Sequence, residues 1–347
     1  MPRANSNKFQ NIHKKNGGGY FIFDGEATIV VDPGYGFLEM LSNFHNITVM
    51  DIDAILITHD HPDHSSELQN ILSLRFVYRE ECPKKLRIYL NPSTYFLYYN
   101  TLLYYSDVLH EDGPKLISPQ LDPIYFGKMI INVIAMYHNE IYTYLSDDIK
   151  EKVNNAVGES KALGLRLDID NENGESFKIA IPGDTSFPKD INEVERIAAF
   201  YGNIDIASIH LGSLERDWSS TNSEPPSQIN YEEGKHLGFN GIIKFLNIIR
   251  PRVAIISEFG EELDASDSRL SIVELTKDLL LYKDAIIIPS DFRLFLAIKG
   301  SLIFSKCSCG KFIPIEKTEY SIDEGAFINY SYKSGCKSKL SHYTFNI

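Results

Sequence analysis

Apolar residues first gather in two short β-rich runs, Gly19-Tyr-Phe-Ile-Phe23 and Ala27-Thr-Ile-Val-Val31, separated by Asp24-Gly25. A tight-turn pair between two such runs predicts a β-hairpin. A third run, Asp51-Ile-Asp-Ala-Ile-Leu-Ile57, predicts a buried strand and stops at the polar cluster Thr58-His-Asp-His-Pro-Asp-His-Ser-Ser66. From Ser65 the spacing changes to three and four, with Leu68, Ile71, Leu72 and Arg75 or Phe76 recurring after Ser/Glu capping residues, which predicts a helix. Residues 86–136 alternate short strand candidates with a stretch from Tyr89 to Tyr105 that holds seven aromatic residues, mostly Tyr.

Further along, Asn132–Tyr137 predicts a strand ending at His138, and the polar residues 139–161 predict loop or short helix. A second hairpin, Leu163–Ile169 and Phe177–Ile181 around an Asn-Gly-containing turn, ends at Pro182-Gly-Asp-Thr185. Strand Asp205–Ile209 then ends at His210, and a helix over Tyr231–Ile249 is stopped near Pro251. Strand Val253–Ser257, helix Leu270–Tyr282 and strands Ala285–Pro289 and Arg293–Ile298 complete the alternation. A hairpin in each half followed by βα units predicts an α/β fold of two sheets with helices packed outside. No internal repeat or low-complexity linker interrupts it. The boundary expected near Gly300 separates a main domain, 1–300, from a Cys-containing extension, 301–347.

Composition narrows the functional classes. The chain has 347 residues, with 43% hydrophobic and 23% charged, the balance of a globular protein and not of a disordered one. No apolar run reaches the ~20 residues a membrane span needs, so no membrane contact is expected. The polar start lacks the apolar stretch of a signal peptide, and four cysteines are too few for a disulfide framework, so a cytoplasmic location is expected. The net charge of −13 argues against a dedicated binder of long duplex nucleic acid, whose affinity rests on Lys and Arg neutralising phosphates. Residues 1–15 and 301–347 are basic, so the chain between them is more acidic still, and such a segment can hold cations.

The chemistry concentrates in His59-Asp60-His61-Pro62-Asp63-His64. His59 and His61 are two apart on a strand and share a face. Pro62 then turns the chain so that Asp63 and His64 return to the same space. Three imidazoles and a carboxylate suit zinc or a similar metal, one ion on His59 and His61 and a second on Asp63 and His64. A two-metal site needs further ligands and a bridging group. His138, Asp184 and His210 each follow a buried strand and supply candidates.

With those residues in place the chain resembles the metallo-β-lactamase-fold hydrolase superfamily. The resemblance rests on HxHxDH at His59–His64, the upstream Asp32 of Val30-Val-Asp-Pro-Gly34, His138, and Gly183-Asp-Thr185, in matching order over roughly residues 17–298. It implies a four-layer αββα sandwich of two mixed sheets with the metals at the edge where they meet. It assigns His59, His61 and His138 to one metal, Asp63 and His64 to the other, Asp184 as the bridge, and Asp32 as an orienting group behind the ligands. Where many members carry a final metal-binding His, this chain has Glu258 after Val253–Ser257; Glu258 is the candidate ligand through oxygen, with His210 or His236 as alternatives. Asp63 is expected to orient the nucleophile, and His210 to protonate the leaving group or stabilise the developing negative charge.

The resemblance thus implies a hydrolase with two divalent cations, zinc or manganese, that activate a water. A carboxylate bridge in Gly-Asp-Thr is more similar to the phosphodiesterase and RNase-Z-like branches. The expected substrate is therefore a phosphodiester in a nucleotide or in short or single-stranded nucleic acid. Hydrolysis of a lactone, thioester or amide, or metal binding without turnover, are the alternatives. The Tyr-rich stretch is read as a half-buried lid or dimer surface, or as stacking platforms for bases, which leaves room for a homo-oligomer. Cys307, Cys309 and Cys336 with His342 offer ligands for a third, structural zinc.

Overall fold

The computed structural model describes residues 19–24, 26–41, 47–138, 146–157, 161–170, 176–188, 190–212, 236–259, 266–290, 295–297, 301–307, 312–313, 315–321, 326–332 and 340–346. Among them a five-stranded sheet runs β1 (Tyr20–Phe23), β2 (Thr28–Val31), β3 (Ala54–Ile57), β4 (Arg87–Leu90), β5 (Lys115–Leu116). The first pair is antiparallel and the others are parallel. The second sheet has seven strands: β6 (Ile124–Phe126), β7 (Met129–Tyr137), β8 (Lys161–Asp170), β9 (Ser176–Ile181), β10 (Ile206–His210), β11 (Val253–Ser257) and β12 (Ile286–Pro289). Its β6–β9 part is an antiparallel meander and its β9–β12 part is parallel, so both sheets are mixed.

Strand alternation sorts the apolar residues into three cores. Ile29, Val31, Ala54 and Leu56 of the first sheet meet Ile131, Leu163, Leu165, Leu167, Ile179 and Ile181 of the second, filling the space between the sheets. Val30, Ile55, Ile57 and Ile88, one residue out of phase, face outward. They are covered by α1 (Phe37–Leu41), α3 (Leu68–Val77) and α4 (Pro92–Tyr104). Ala180, Ala207, Ile209, Ala254 and Ile256 face outward from the second sheet under α6 (Ile191–Phe200), α7 (Phe239–Ile249) and α8 (Ser266–Leu279). The layers are therefore helix, sheet, sheet, helix, the expected αββα sandwich. A single turn, α2 (Pro62–Ser65), and α5 (Asp147–Val157) complete the α-helices among the described residues, and two 3-10 turns lie at Val49–Asp51 and Ser106–Val108.

Several local readings shift. Most of the Tyr-rich stretch is the helix α4, with Tyr89 in β4 and Tyr105 just past the helix end; Asn91 caps it by accepting from the Ser93 amide, and Pro92 starts it. The strands of the first hairpin stop at Phe23 and resume at Thr28, where Asp24 Oδ1 accepts from the amides of Glu26 and Ala27. α8 begins at Ser266, four residues before the expected start. α7 begins only after Gly238, so His236 precedes the helix instead of lying within it. Residues 231–235 and the Asn-Gly turn near 173 lie outside the described residues. Beyond the sandwich, β13 (Phe295–Ala297) pairs with β14 (Ser301–Cys307) across the expected boundary, and β14 pairs with β15 (Phe312–Ile313) and β18 (Leu340–Asn346). A separate hairpin joins β16 (Ile315–Ser321) to β17 (Ala326–Tyr332). Cys309 and Cys336 lie outside the described residues, and with them the tail zinc site expected on Cys307, Cys309 and Cys336. No helix among the described residues is long and apolar enough to cross a membrane.

Candidate metal centre

The strand ends converge at one edge of the sandwich. His59 and His61 follow β3, His138 follows β7, Asp184 follows β9, His210 closes β10 and Glu258 follows β11. Two quartets result, each with one ligand atom per residue and all four atoms within 4.8 Å of one another: His59, His61, His138, Asp184, and His64, Asp184, His210, Glu258. Asp184 belongs to both. Its Oδ2 lies 3.6 Å from His59 Nε2, 4.0 Å from His61 Nδ1, 3.7 Å from His64 Nε2 and 4.0 Å from His138 Nε2. Tetrahedral ligands at 2.0–2.2 Å from an ion stand about 3.4 Å apart, so these spacings suit a cation among them.

The donors also fit a metal by what they lack. His64 Nε2, Asp184 Oδ2 and Glu258 Oε2 are buried, turned into the centre and without hydrogen-bond partners. Leaving such atoms unsatisfied costs roughly 1–3 kcal/mol each unless an ion completes them. The opposite ring nitrogens are held from behind. Asp32, at a left-handed φ of 50°, accepts from the Thr58 amide and hydroxyl, both at 2.7 Å. The Thr58 proton is thus spent on Asp32, so Thr58 Oγ1 accepts from His59 Nδ1–H at 3.2 Å and leaves Nε2 as a lone pair facing the centre. Asp32 Oδ2 also accepts from His64 Nδ1 at 3.3 Å, which fixes the same arrangement there.

The loop is buttressed from both sides. Asn91 donates to the Thr58 carbonyl at 3.0 Å, and Tyr98 of α4 donates to the Ser65 carbonyl at 3.0 Å. Gly34 lies against the Asp63 carbonyl so closely that a Cβ there would stand 1.6 Å from its oxygen. Asp63 is itself buried, with Oδ2 lacking a hydrogen-bond partner, but it belongs to neither quartet.

The buried charges of the centre act on one another. Burial and neighbouring His64 push His59 well below the usual imidazole range. Burial opposes the charge on His64 too, yet Glu258 and Asp184 outweigh it and raise His64 well above that range. For His210 burial is again outweighed by Glu258, Tyr20 and Asp184, and the group is raised to about 10. Burial would raise both carboxyls, but His236 and His64 hold Asp184 well below the carboxylate range, and His210 and His64 lower Glu258 to about 2. The two carboxylates and the imidazoles of His64 and His210 therefore favour one another's charged forms.

His61 and His236 are the more open members, with side chains 25% and 10% exposed, and mark the mouth of the site. His236 Nδ1 lies 3.3 Å from Asp184 Oδ2. His210, by contrast, is enclosed, with Nε2 3.0 Å from Tyr20 Oη and Nδ1 2.9 Å from Asp184 Oδ1 and 3.2 Å from Glu258 Oε2. Tyr20, absent from the candidate residues, joins the site from the other sheet; nothing in a sequence separation of 190 residues signals it.

The chain matches the family model described as β-lactamase superfamily domain over residues 27–257. Among solved structures it is similar to the metallo-β-lactamase fold protein YhfI from Bacillus subtilis, at 13% identity and a TM-score of 0.54, covering 83% of this chain and 90% of that one. It is also similar to Zn(2+)-bound PqqB from Methylobacterium extorquens, at 14% identity and a TM-score of 0.52, covering 79% and 85%. No curated protein matches by sequence.

Proposed function

The chain belongs to the β-lactamase superfamily domain family, the metal-dependent hydrolases of the metallo-β-lactamase fold, and on that premise we propose that it is a dinuclear phosphodiesterase acting on nucleotides or short single-stranded nucleic acid. The observation that carries this reading is Asp184, one carboxylate shared by two ligand quartets. In the proposed site His59, His61 and His138 would hold one cation, His64 and Glu258 would hold the other, and Asp184 would be shared between them. Bound there, two divalent cations supply a water activated near neutral pH and a clamp on the phosphoryl oxygens. Asp63, buried in the turn between His61 and His64 with an unsatisfied oxygen, would orient the attacking water by accepting its hydrogen bond.

His236 is the group placed to protonate the leaving oxygen. It stands at the mouth, with Nδ1 3.3 Å from Asp184 Oδ2. His210, given that role by the sequence, has both nitrogens turned to protein groups. The oxygen bridge within Gly183-Asp-Thr185 and the local positive charge of two cations favour a phosphodiester. The acidity of the rest of the chain restricts it to small or single-stranded substrates.

A panel of bis(p-nitrophenyl) phosphate, cyclic nucleotides, short RNA and DNA, a lactone and a β-lactam, each with zinc or manganese, tests the reading. Turnover of phosphodiesters that is lost in Asp184→Ala supports it. Turnover confined to the lactone or β-lactam overturns the substrate class.

A further inference from the structure

Behind the second quartet, one imidazole and three hydroxyls line up on the inward faces of the two sheets. The alternation that turns Ala207, Ile209, Ala254 and Ile256 outward turns Ser208, His210 and Ser257 inward. Tyr20 reaches them from β1 of the opposite sheet. Its Oη lies 3.0 Å from His210 Nε2 and 2.9 Å from Ser208 Oγ. Ser208 Oγ lies 3.4 Å from Ser257 Oγ, which donates to the Ile209 carbonyl at 3.3 Å.

This chain has only one direction. A carbonyl accepts and each hydroxyl has a single proton to give. Ser257 spends its proton on Ile209 and so accepts from Ser208. Ser208 accordingly accepts from Tyr20, and Tyr20 accepts from His210. The proton of a neutral His210 is therefore fixed on Nε2, and the lone pair of Nδ1 faces Asp184 Oδ1 at 2.9 Å and Glu258 Oε2 at 3.2 Å. A lone pair aimed at two carboxylate oxygens repels them unless a proton or a cation stands between, and a bound cation takes the proton's place.

We propose that Tyr20 is a positioning residue that makes His210 a ligand of the second cation through Nδ1. The inference rests on the dinuclear reading above and deepens it. It takes His210 out of proton transfer and gives the second site two imidazoles and two carboxylates against three imidazoles and one carboxylate in the first. It also ties that site to both sheets, because its outer hydrogen bond comes from β1 while its ligands come from β9, β10 and β11 and the turn after β3.

The test uses the full chain loaded with zinc. Competition with a chromophoric chelator gives the affinity of each equivalent, and 15N imidazole spectra give the protonation of each ring nitrogen. Tyr20→Phe removes the acceptor for Nε2–H. Loss of one such partner behind a ligand typically costs 10–100-fold in affinity. The expected result is that scale of weakening in the second equivalent, with the first within about twofold of its original value. In the wild-type protein, His210 is expected to show a proton on Nε2 and none on Nδ1. A proton on Nδ1 in the zinc-loaded protein overturns the proposal without any variant having to fold. Two wild-type equivalents with unchanged affinities in Tyr20→Phe overturn it as well. Fewer than two wild-type equivalents would instead overturn the dinuclear reading beneath it.

Discussion

Adding one methyl group at Gly34 probes how tightly the Asp32-Pro33-Gly34 loop is seated on the metal-binding turn. A Cβ at this position would stand 1.6 Å from the Asp63 carbonyl oxygen, 2.3 Å from its carbon and 3.1 Å from its Cα. Ordinary carbon–oxygen contact is roughly 3.2 Å or more, so one backbone must retreat by about 1.5 Å. Neither side yields easily. Asp32 is fixed by two 2.7 Å bonds to Thr58, the Gly34 amide donates to the Asp32 carbonyl at 2.8 Å, and the Glu67 amide donates to the Pro33 carbonyl at 3.0 Å. Overpacking of this kind costs about 1–3 kcal/mol, and a ~1 Å shift of a catalytic group costs on the order of 100-fold in rate. Gly34→Ala is therefore expected to lower the urea midpoint of metal-depleted protein at unchanged m-value, to bind the second cation at least tenfold more weakly, and to lose about 100-fold in kcat/KM. A variant within about 0.5 kcal/mol of the original that retains two cations would refute the close seating of this loop.

Four further predictions follow from the same geometry. His210 is raised from 6.5 to about 10 and His64 is raised as well, so in metal-depleted protein their stabilisation is complete below pH 6.5 and is lost as pH rises towards 10. Urea denaturation in a chelator should show a loss of the order of a few kcal/mol across that window, and a flat profile would contradict it. Glu258, lowered to about 2, gives the opposite limb: its contribution is present above pH 4.5 and fades towards pH 2, which the same titration reads at its acid end. Asp32→Ala strands the Thr58 amide and hydroxyl and frees the His64 ring, so metal titration should show a 10–100-fold weaker second site and denaturation a loss of about 1–3 kcal/mol. Tyr201 is fully buried with a hydroxyl that has no hydrogen-bond partner, so Tyr201→Phe should be neutral or stabilising by about 1 kcal/mol; a loss larger than that in thermal unfolding would show that the hydroxyl is satisfied.

Much of the site is legible because ligands cluster where buried strands end. Ile55-Leu-Ile57 running into His59 and His61, Ile179-Ala-Ile181 into Asp184, and Ile209 into His210 each mark an apolar run broken by a donor. The fold is legible for the same reason, since period-two runs specify which face of each sheet is covered. What escaped is non-local or hidden by composition. The aromatic residues of α4 have high strand propensity, and only the Asn91-Pro92 start betrays the helix. The place of His236 depends on α7 starting only after Gly238, and its approach to Gly212, where a Cβ would stand 2.3 Å from the His236 Cβ, cannot be read from spacing. The role of Tyr20 depends on two sheets facing each other.

The central claim is a pair of cation sites that share one carboxylate, and counting bound cations per chain tests it most directly. After loading with zinc and exhaustive dialysis, elemental analysis is expected to give two equivalents in the original protein, while Asp184→Ala, folded by circular dichroism, retains neither. A single equivalent in the original protein, or two equivalents surviving in Asp184→Ala, would contradict the account.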